Sequence, residues 1–126
     1  MSWRTPLGRV LGLGTAREGT EHWLAQRVSA VALLLLGAWF VIAIVMLDGL
    51  DHAAAVAFIA APWNGVLLML LSVTLAYHSY LGVQVVVEDY VHAPGIKVVS
   101  LMLSRFTHLF VAVAAVYAIV RVGIGA

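Results

Sequence analysis

Apolar residues fill three long stretches of the chain, separated by short polar segments. These stretches run from about 28 to 47, 64 to 87 and 98 to 120. Each reaches the ~20 residues that an α-helix needs to cross the hydrocarbon core of a bilayer. A fourth apolar run, from Ala53 to Ala61, is too short to span and is expected to lie along the membrane interface. The pattern predicts an all-α membrane protein with three transmembrane helices, forming a single domain over residues 1–126.

The predicted helix ends carry residues that are typical of such boundaries. Thr20 and Glu21 favour a helix start, because a hydroxyl can cap the first turn and an acid suits its dipole. Pro62 and Trp63 open the second span, since proline is tolerated in a first turn and tryptophan suits the headgroup region. The segment from His92 to Gly95 is expected to end the second span.

Composition supports a membrane location and excludes several kinds of chemistry. Of the 126 residues, 63% are apolar and 10% charged, whereas a soluble domain is close to half apolar and about a quarter charged. The mean hydropathy is +1.04. The absence of cysteine excludes disulfides, thiolate metal sites, iron–sulfur ligation and thiol catalysis within this chain. We therefore expect membrane lipid and other protein subunits as partners, and no nucleic acid.

The distribution of basic residues predicts the orientation in the membrane. Four arginines precede the first span, the first loop has no lysine or arginine, and Lys97 lies in the second loop. Because loops on the cytoplasmic side carry an excess of these residues, the N-terminal segment 1–26 and the second loop should face inwards. The C-terminus should then lie outside.

His78 lies about fourteen residues into the second span. An ionisable side chain inside a membrane is by default a functional hypothesis, because its unpaired polar atoms are costly there. It could be an axial haem ligand or a neutral histidine that is hydrogen-bonded to a neighbouring helix. Gly82, one turn further on the same face, could leave room for a flat macrocycle or mark a close helix contact.

Three further basic side chains leave alternatives open. His108 lies at a similar depth in the third span and could complete a bis-histidine haem site with His78 within this chain. Arg105, on the same face as His108, is typical of a side chain that reaches towards the interface. Arg27, at the mouth of the first span, could be an interfacial anchor or could point at a carboxylate such as a porphyrin propionate.

Asp89 and Tyr90 follow at the end of the second span. A spacing of eleven residues returns Asp89 to within roughly 20° of the His78 face, about 16 Å along the helix. Acids and a tyrosine at a helix end are also typical of a solvated boundary. Alternatively, the phenol could donate a hydrogen bond to a carbonyl of a lipophilic quinone, with Asp89 orienting it or relaying a proton.

Two motifs resemble one known family. HSYLGVQVVVEDYV, from His78 to Val91, resembles the second-helix pattern of the small hydrophobic anchor subunits of succinate dehydrogenase. HWLAQRVSAVAL, from His22 to Leu33, resembles their entry to the first helix. In that family a three-helix anchor pairs with a second, cytochrome b-type anchor subunit, and the two hold one haem b between them. A flavoprotein subunit and an iron–sulfur subunit, which carry flavin and iron–sulfur clusters, dock on the inner face.

Residue by residue, the resemblance implies specific roles. It makes His78 the axial ligand to the haem iron from this subunit, with the other ligand on the partner anchor. It makes Tyr90 the hydrogen-bond donor to ubiquinone and Asp89 its neighbour in the same site. Arg27 falls near the haem propionates and the quinone pocket. His108 and Arg105 have no counterpart in the pattern.

The predicted function is that of a membrane anchor of succinate dehydrogenase in a bacterial inner membrane. It would help to bind haem b and would form part of the ubiquinone-reduction site, while catalysing nothing by itself. A fumarate reductase anchor is one alternative. A self-contained cytochrome b that uses His78 and His108 is another, and a small membrane scaffold without a cofactor is a third.

Overall fold

The structure is a computed structural model, and it describes residues 16–125. These residues form four helices and no strand: α1 (Ala16–Val45), α2 (His52–Ala60), α3 (Pro62–Tyr90) and α4 (Pro94–Gly123). Helices α1, α3 and α4 are long and apolar enough to cross a membrane. The predicted all-α membrane fold with three spanning helices is confirmed, and the short apolar run forms the additional helix α2.

All three spanning helices begin before the apolar stretches that predicted them, and α1 ends at Val45, before the predicted end of the first span at about 47. Helix α1 begins at Ala16, earlier than the predicted start at Thr20, and α3 and α4 begin before their apolar runs. A helix satisfies its own backbone polar groups, so it can continue through the interface after the apolar pattern has ended. Of the predicted N-terminal segment 1–26, the structure describes residues from 16 onwards, and Arg4 and Arg9 lie outside it.

Local sequence signals set the starts of the later helices. The Asp51 side chain accepts a 2.8 Å hydrogen bond from the Ala54 backbone N–H and so caps the first turn of α2. Helices α3 and α4 both begin with a proline, Pro62 and Pro94, at a position where no backbone N–H is required. Residues 91–93 alone separate α3 from α4, whereas the connection from α1 to α3 covers residues 46–61 and includes α2.

Helix α3 is central to the described part of the chain. Its backbone packs against both α1 and α4, whereas no Cα atom of α1 lies within 8 Å of a Cα atom of α4. The buried apolar side chains are Ala76 and Leu81, both on α3. Helix α2 packs on α3 and α4. The ring of Phe58 in α2 stacks on the ring of Trp39 in α1, with 6.1 Å between the ring centroids.

Most large apolar side chains of the three spanning helices are exposed on the outside of the helix bundle. No residue of α4 is buried, and α1 and α3 also expose most of their large apolar side chains. Within a membrane such faces contact lipid or further helices at no hydrophobic cost. The fold thus leaves broad apolar faces on both sides of the central helix.

Candidate functional site

The ring of His78 is held between α3 and α1. Its Nδ1 lies 2.9 Å from the hydroxyl of Ser29, and its Nε2 lies 3.4 Å from the side-chain amide nitrogen of Gln26. The Ser29 hydroxyl also donates a 3.1 Å hydrogen bond to the Gln26 backbone carbonyl. These contacts join positions 49 and 52 residues apart in the sequence. They form a small polar cluster inside an otherwise apolar helix pair.

Gly82 completes this cluster on the α3 side. A Cβ atom built at Gly82 would lie 3.8 Å from the Gln26 amide nitrogen, so Gly82 faces the same part of α1 as His78. The predicted sharing of one face by His78 and Gly82 is therefore confirmed. We call Gln26, Ser29, His78 and Gly82 the His78 cluster.

The residues of the His78 cluster fit a haem ligand. A neutral imidazole nitrogen is an ordinary axial ligand, and the glycine leaves one side of the cluster without a side chain. The Gln26 side-chain oxygen is buried and has no hydrogen-bond partner, so the cluster contains an acceptor that is available to a further group. Among residues 16–125 no group of three or more histidines or acids could hold a bare metal ion. A haem iron, however, would require only one ligand from this chain.

Arg27 lies at the height of the His78 cluster. Ser29 meets His78 while Gln26 meets the later residue Gly82, so α1 and α3 run in opposite directions. This register puts Arg27, which follows Gln26, level with the turn from His78 to Gly82. The exposed guanidinium lies 5.6 Å from the ring centroid of Trp23, an arrangement typical of a cation–π contact.

Tyr90 and Asp89 occupy the last turn of α3, away from the His78 cluster. Tyr90 is 78% exposed, and Asp89 is also exposed. Twelve residues separate Tyr90 from His78, which corresponds to about 18 Å along a helix. The Tyr90 backbone carbonyl accepts a 3.0 Å hydrogen bond from His92 Nδ1. Both side chains are thus presented at the helix end.

His108 contacts a different side of α3. Its Nδ1 donates a 2.7 Å hydrogen bond to the Ser104 backbone carbonyl, and its Nε2 lies 3.1 Å from the hydroxyl of Ser79. Successive residues on a helix point about 100° apart, so Ser79 faces α4 while its neighbour His78 faces α1. The structure does not bring the two histidines to a common site.

Arg105 and His108 instead line an open groove between α3 and α4. The groove has a volume of about 370 Å³, and Tyr77 and Tyr80 form its other polar lining. The rings of Tyr80 and His108 meet edge to face at 6.1 Å. The predicted common face of Arg105 and His108 is confirmed, on the side of α3 away from the His78 cluster.

Two residues of the His78 cluster were not singled out from the sequence. Ser29 is a small polar residue at the start of a long apolar run, and Gln26 stands beside the more conspicuous Arg27. A spacing of three residues places Gln26 and Ser29 on one face of α1, and this spacing is the sequence feature by which they could have been recognised. What the sequence could not provide was the pairing of that face with His78.

Comparison with known proteins gives the family. Residues 1–121 match the family described as succinate dehydrogenase/fumarate reductase transmembrane subunit. The chain belongs to this family. It is 33% identical to the succinate dehydrogenase hydrophobic membrane anchor subunit of Paracoccus denitrificans, over 100% of this chain and 97% of that protein. It is 26% identical to the protein of the same name from Rickettsia bellii, over 93% of this chain and 94% of the relative.

Family membership confirms the coarser part of the sequence-based prediction. The predicted resemblance to succinate dehydrogenase membrane anchors is confirmed by the matched length and by these relatives. Together with the three long apolar helices, it makes the chain a multi-pass membrane protein. A membrane anchor subunit associates with the other subunits of its complex.

Proposed function

We propose that this chain helps to bind haem b and forms part of the ubiquinone-reduction site of a succinate dehydrogenase complex. The observation that carries the proposal is the His78 cluster. An imidazole inside the membrane is fixed at Nδ1 by Ser29, while its Nε2 meets only a side-chain amide beside a glycine. This arrangement suits an axial ligand better than a histidine that only links two helices, because a linking histidine would have both nitrogens in good hydrogen bonds.

The second axial ligand is proposed to come from a second, cytochrome b-type anchor subunit. His108 is directed to the α4 side of α3, where Ser104 and Ser79 engage both of its nitrogens. The broad apolar faces of the layer provide surfaces on which the helices of such a partner could pack. When bound, haem b supplies a one-electron redox centre within the membrane.

Arg27 is proposed to interact with the haem propionates or with the quinone pocket. Its height beside the His78 cluster and its exposure make the guanidinium available to a carboxylate of a group held there. Guanidinium–carboxylate pairs are strong and directional, and they are stronger where water is scarce. The stacking on Trp23 would restrict the guanidinium to that side of α1.

Tyr90 and Asp89 are proposed to contact ubiquinone. The Tyr90 phenol can donate a hydrogen bond to a quinone carbonyl, and that bond strengthens as negative charge grows on the oxygen during reduction. Asp89 would orient the phenol or pass on a proton. Their exposure at the end of a helix supports this role, because a quinone that diffuses in the membrane must reach them from outside the chain.

The remaining subunits complete the proposed route of electrons. The flavoprotein subunit would oxidise succinate, and the clusters of the iron–sulfur subunit would deliver the electrons to the end of α3 that carries Tyr90. We place that end on the cytoplasmic side of a bacterial inner membrane, since the basic residues of the chain concentrate there. This chain would contribute binding and positioning, with the redox centres on its partners and on the shared haem.

Replacing the two histidines in the purified complex tests the proposal. His78→Ala should remove an axial ligand, so that the low-spin optical spectrum of haem b becomes high-spin or the haem is lost. His108→Ala is the matched control, a histidine of similar depth on the other side of α3, and should keep the low-spin spectrum. The opposite pattern, with His108 essential and His78 dispensable, would contradict the proposed site and favour a different ligand set.

A further inference from the structure

Ser29 lies against the ring nitrogen of His78 that faces away from Gln26. We propose that Ser29 is a positioning residue for the haem ligand: it accepts the Nδ1–H of His78 and so presents the Nε2 lone pair for coordination. The inference rests on the proposed function, since it takes His78 as the axial ligand. It adds a residue on another helix that sets which ring nitrogen carries the lone pair.

The hydrogen-bond partners of the Ser29 hydroxyl indicate which tautomer the His78 ring adopts. A serine hydroxyl has one proton to donate and lone pairs with which to accept. The Gln26 backbone carbonyl, 3.1 Å away, can only accept, so the hydroxyl proton is directed there. The oxygen then offers lone pairs to His78 Nδ1 at 2.9 Å, and we infer that Nδ1 carries the ring proton. A neutral imidazole protonated at Nδ1 has its lone pair on Nε2.

The Gln26 side chain is consistent with the same tautomer. Its amide nitrogen, which can only donate, lies 3.4 Å from His78 Nε2 and therefore faces a lone pair. The same amide nitrogen lies nearest to the position of a Cβ on Gly82. The Nε2 lone pair thus faces the Gln26 amide on the Gly82 side of the His78 cluster.

Burial makes the contact between Ser29 and His78 consequential. Ser29 is 5% exposed and is the one buried polar residue in the part of the chain that the structure describes. In such surroundings a hydroxyl that already donates to a carbonyl is a stronger acceptor, because hydrogen bonds in series polarise one another. A hydrogen bond to the outer nitrogen of a ligating histidine orients its ring and raises its basicity. The contact should therefore stabilise the oxidised iron and lower the reduction potential of the haem.

Serine replacements in the intact, purified complex test this inference. Ser29→Ala should weaken haem retention by about 10-fold, raise the midpoint potential of haem b and alter its low-spin electron paramagnetic resonance signal. Ser29→Thr keeps the hydroxyl and should stay near the wild-type values. Ser29→Cys keeps a side chain of similar volume but offers only a weak hydrogen-bond acceptor. It should shift the midpoint potential in the same direction as Ser29→Ala, and it provides an independent test if the alanine variant assembles poorly.

Ser72→Ala is the matched control. The Ser72 hydroxyl donates a 2.7 Å hydrogen bond to the Leu68 backbone carbonyl within α3. Ser72→Ala therefore also removes a hydrogen bond from a serine hydroxyl to its own helix, but at a position that does not contact His78. It should leave the potential unchanged. If Ser29→Ala matches the wild type in potential and haem retention while His78→Ala loses the low-spin haem, Ser29 has no positioning role and the proposed function stands. If His78→Ala keeps its low-spin haem, the ligand assignment itself is overturned.

Discussion

The ammonium group of Lys97 donates a 2.8 Å hydrogen bond to the backbone carbonyl of Glu88. This contact joins the first turn of α4 to the last turn of α3, where backbone carbonyls lack partners within the helix and a positive charge is favourable. On the same turn, the Gln84 amide donates to the Glu88 carboxylate at 2.8 Å. The end of α3 is therefore held against α4 by a contact two residues before Tyr90.

Tyr90→Phe should severely reduce quinone turnover. The change keeps the ring and removes only the hydroxyl that is proposed to donate to the quinone carbonyl. Loss of a catalytic hydrogen-bond donor of this kind typically costs about 10² to 10³ in turnover. The measurement is succinate-to-quinone activity of the purified complex, with haem content and succinate oxidation by a soluble dye as controls that should not change. Wild-type quinone turnover would return Tyr90 to the role of a boundary residue.

Asp89→Asn should reduce the same activity by a smaller factor than Tyr90→Phe. The side chain is proposed to orient the phenol or to relay a proton, and an amide retains part of the hydrogen-bonding capacity while losing the charge. Comparing the two variants at saturating quinone gives the relative size of the effects. A larger loss for Asp89→Asn than for Tyr90→Phe would make the acid, and not the phenol, the principal group.

Gly65→Leu should destabilise the chain by disturbing the contact between α2 and α3. Gly65 is buried, and a Cβ there would lie 3.3 Å from the Ile59 backbone carbonyl, so a larger side chain must displace α2. Overpacking of this kind typically costs about 1–3 kcal/mol. Gly123→Leu is the control, since a Cβ at Gly123 has nothing within 4 Å. Thermal unfolding of the complex should show a lower midpoint for Gly65→Leu than for Gly123→Leu. Equal midpoints would show that α2 accommodates the leucine without loss of stability.

The orientation of the chain can be tested with topology reporters. The arginines before the first span and Lys97 between the second and third predict an inside N-terminus. A reporter inserted next to Asp51, or fused to the C-terminus, should then be active only on the outer side, and an N-terminal fusion only on the inner side. Cytoplasmic activity at Asp51 would reverse the orientation and would move Tyr90 away from the subunits that deliver electrons.

Much of the fold was predictable from the sequence because the membrane imposes strong constraints on it. The three apolar runs predicted the spanning helices, and Pro62 marked the start of α3. The start of α1 was harder to predict, because residues 16–20 form no apolar run and a helix outside the membrane core needs no apolar pattern. The central position of α3 could not be predicted, because it depends on which faces pack together.

The candidate site was only partly predictable for the same reason. His78 and Gly82 share a face by simple helical spacing, so both could be recognised together. Ser29 and Gln26 contact them across 49 or more positions of sequence, and no local pattern encodes which helix a polar face will meet. The separation of His108 from His78 likewise depends on how α4 is rotated against α3, although the two lie at similar depths.

His78 is proposed to ligate the haem iron, and replacing it by another ligating residue, His78→Met, tests this ligation. Methionine is also an axial ligand, so the variant should keep a low-spin haem whose ligands are now histidine and methionine. Such ligation raises the reduction potential and changes the near-infrared charge-transfer band in magnetic circular dichroism. Ligation by residue 78 predicts both changes for His78→Met and neither for His108→Met. A His78→Met complex with the potential and near-infrared band of the wild type would contradict it.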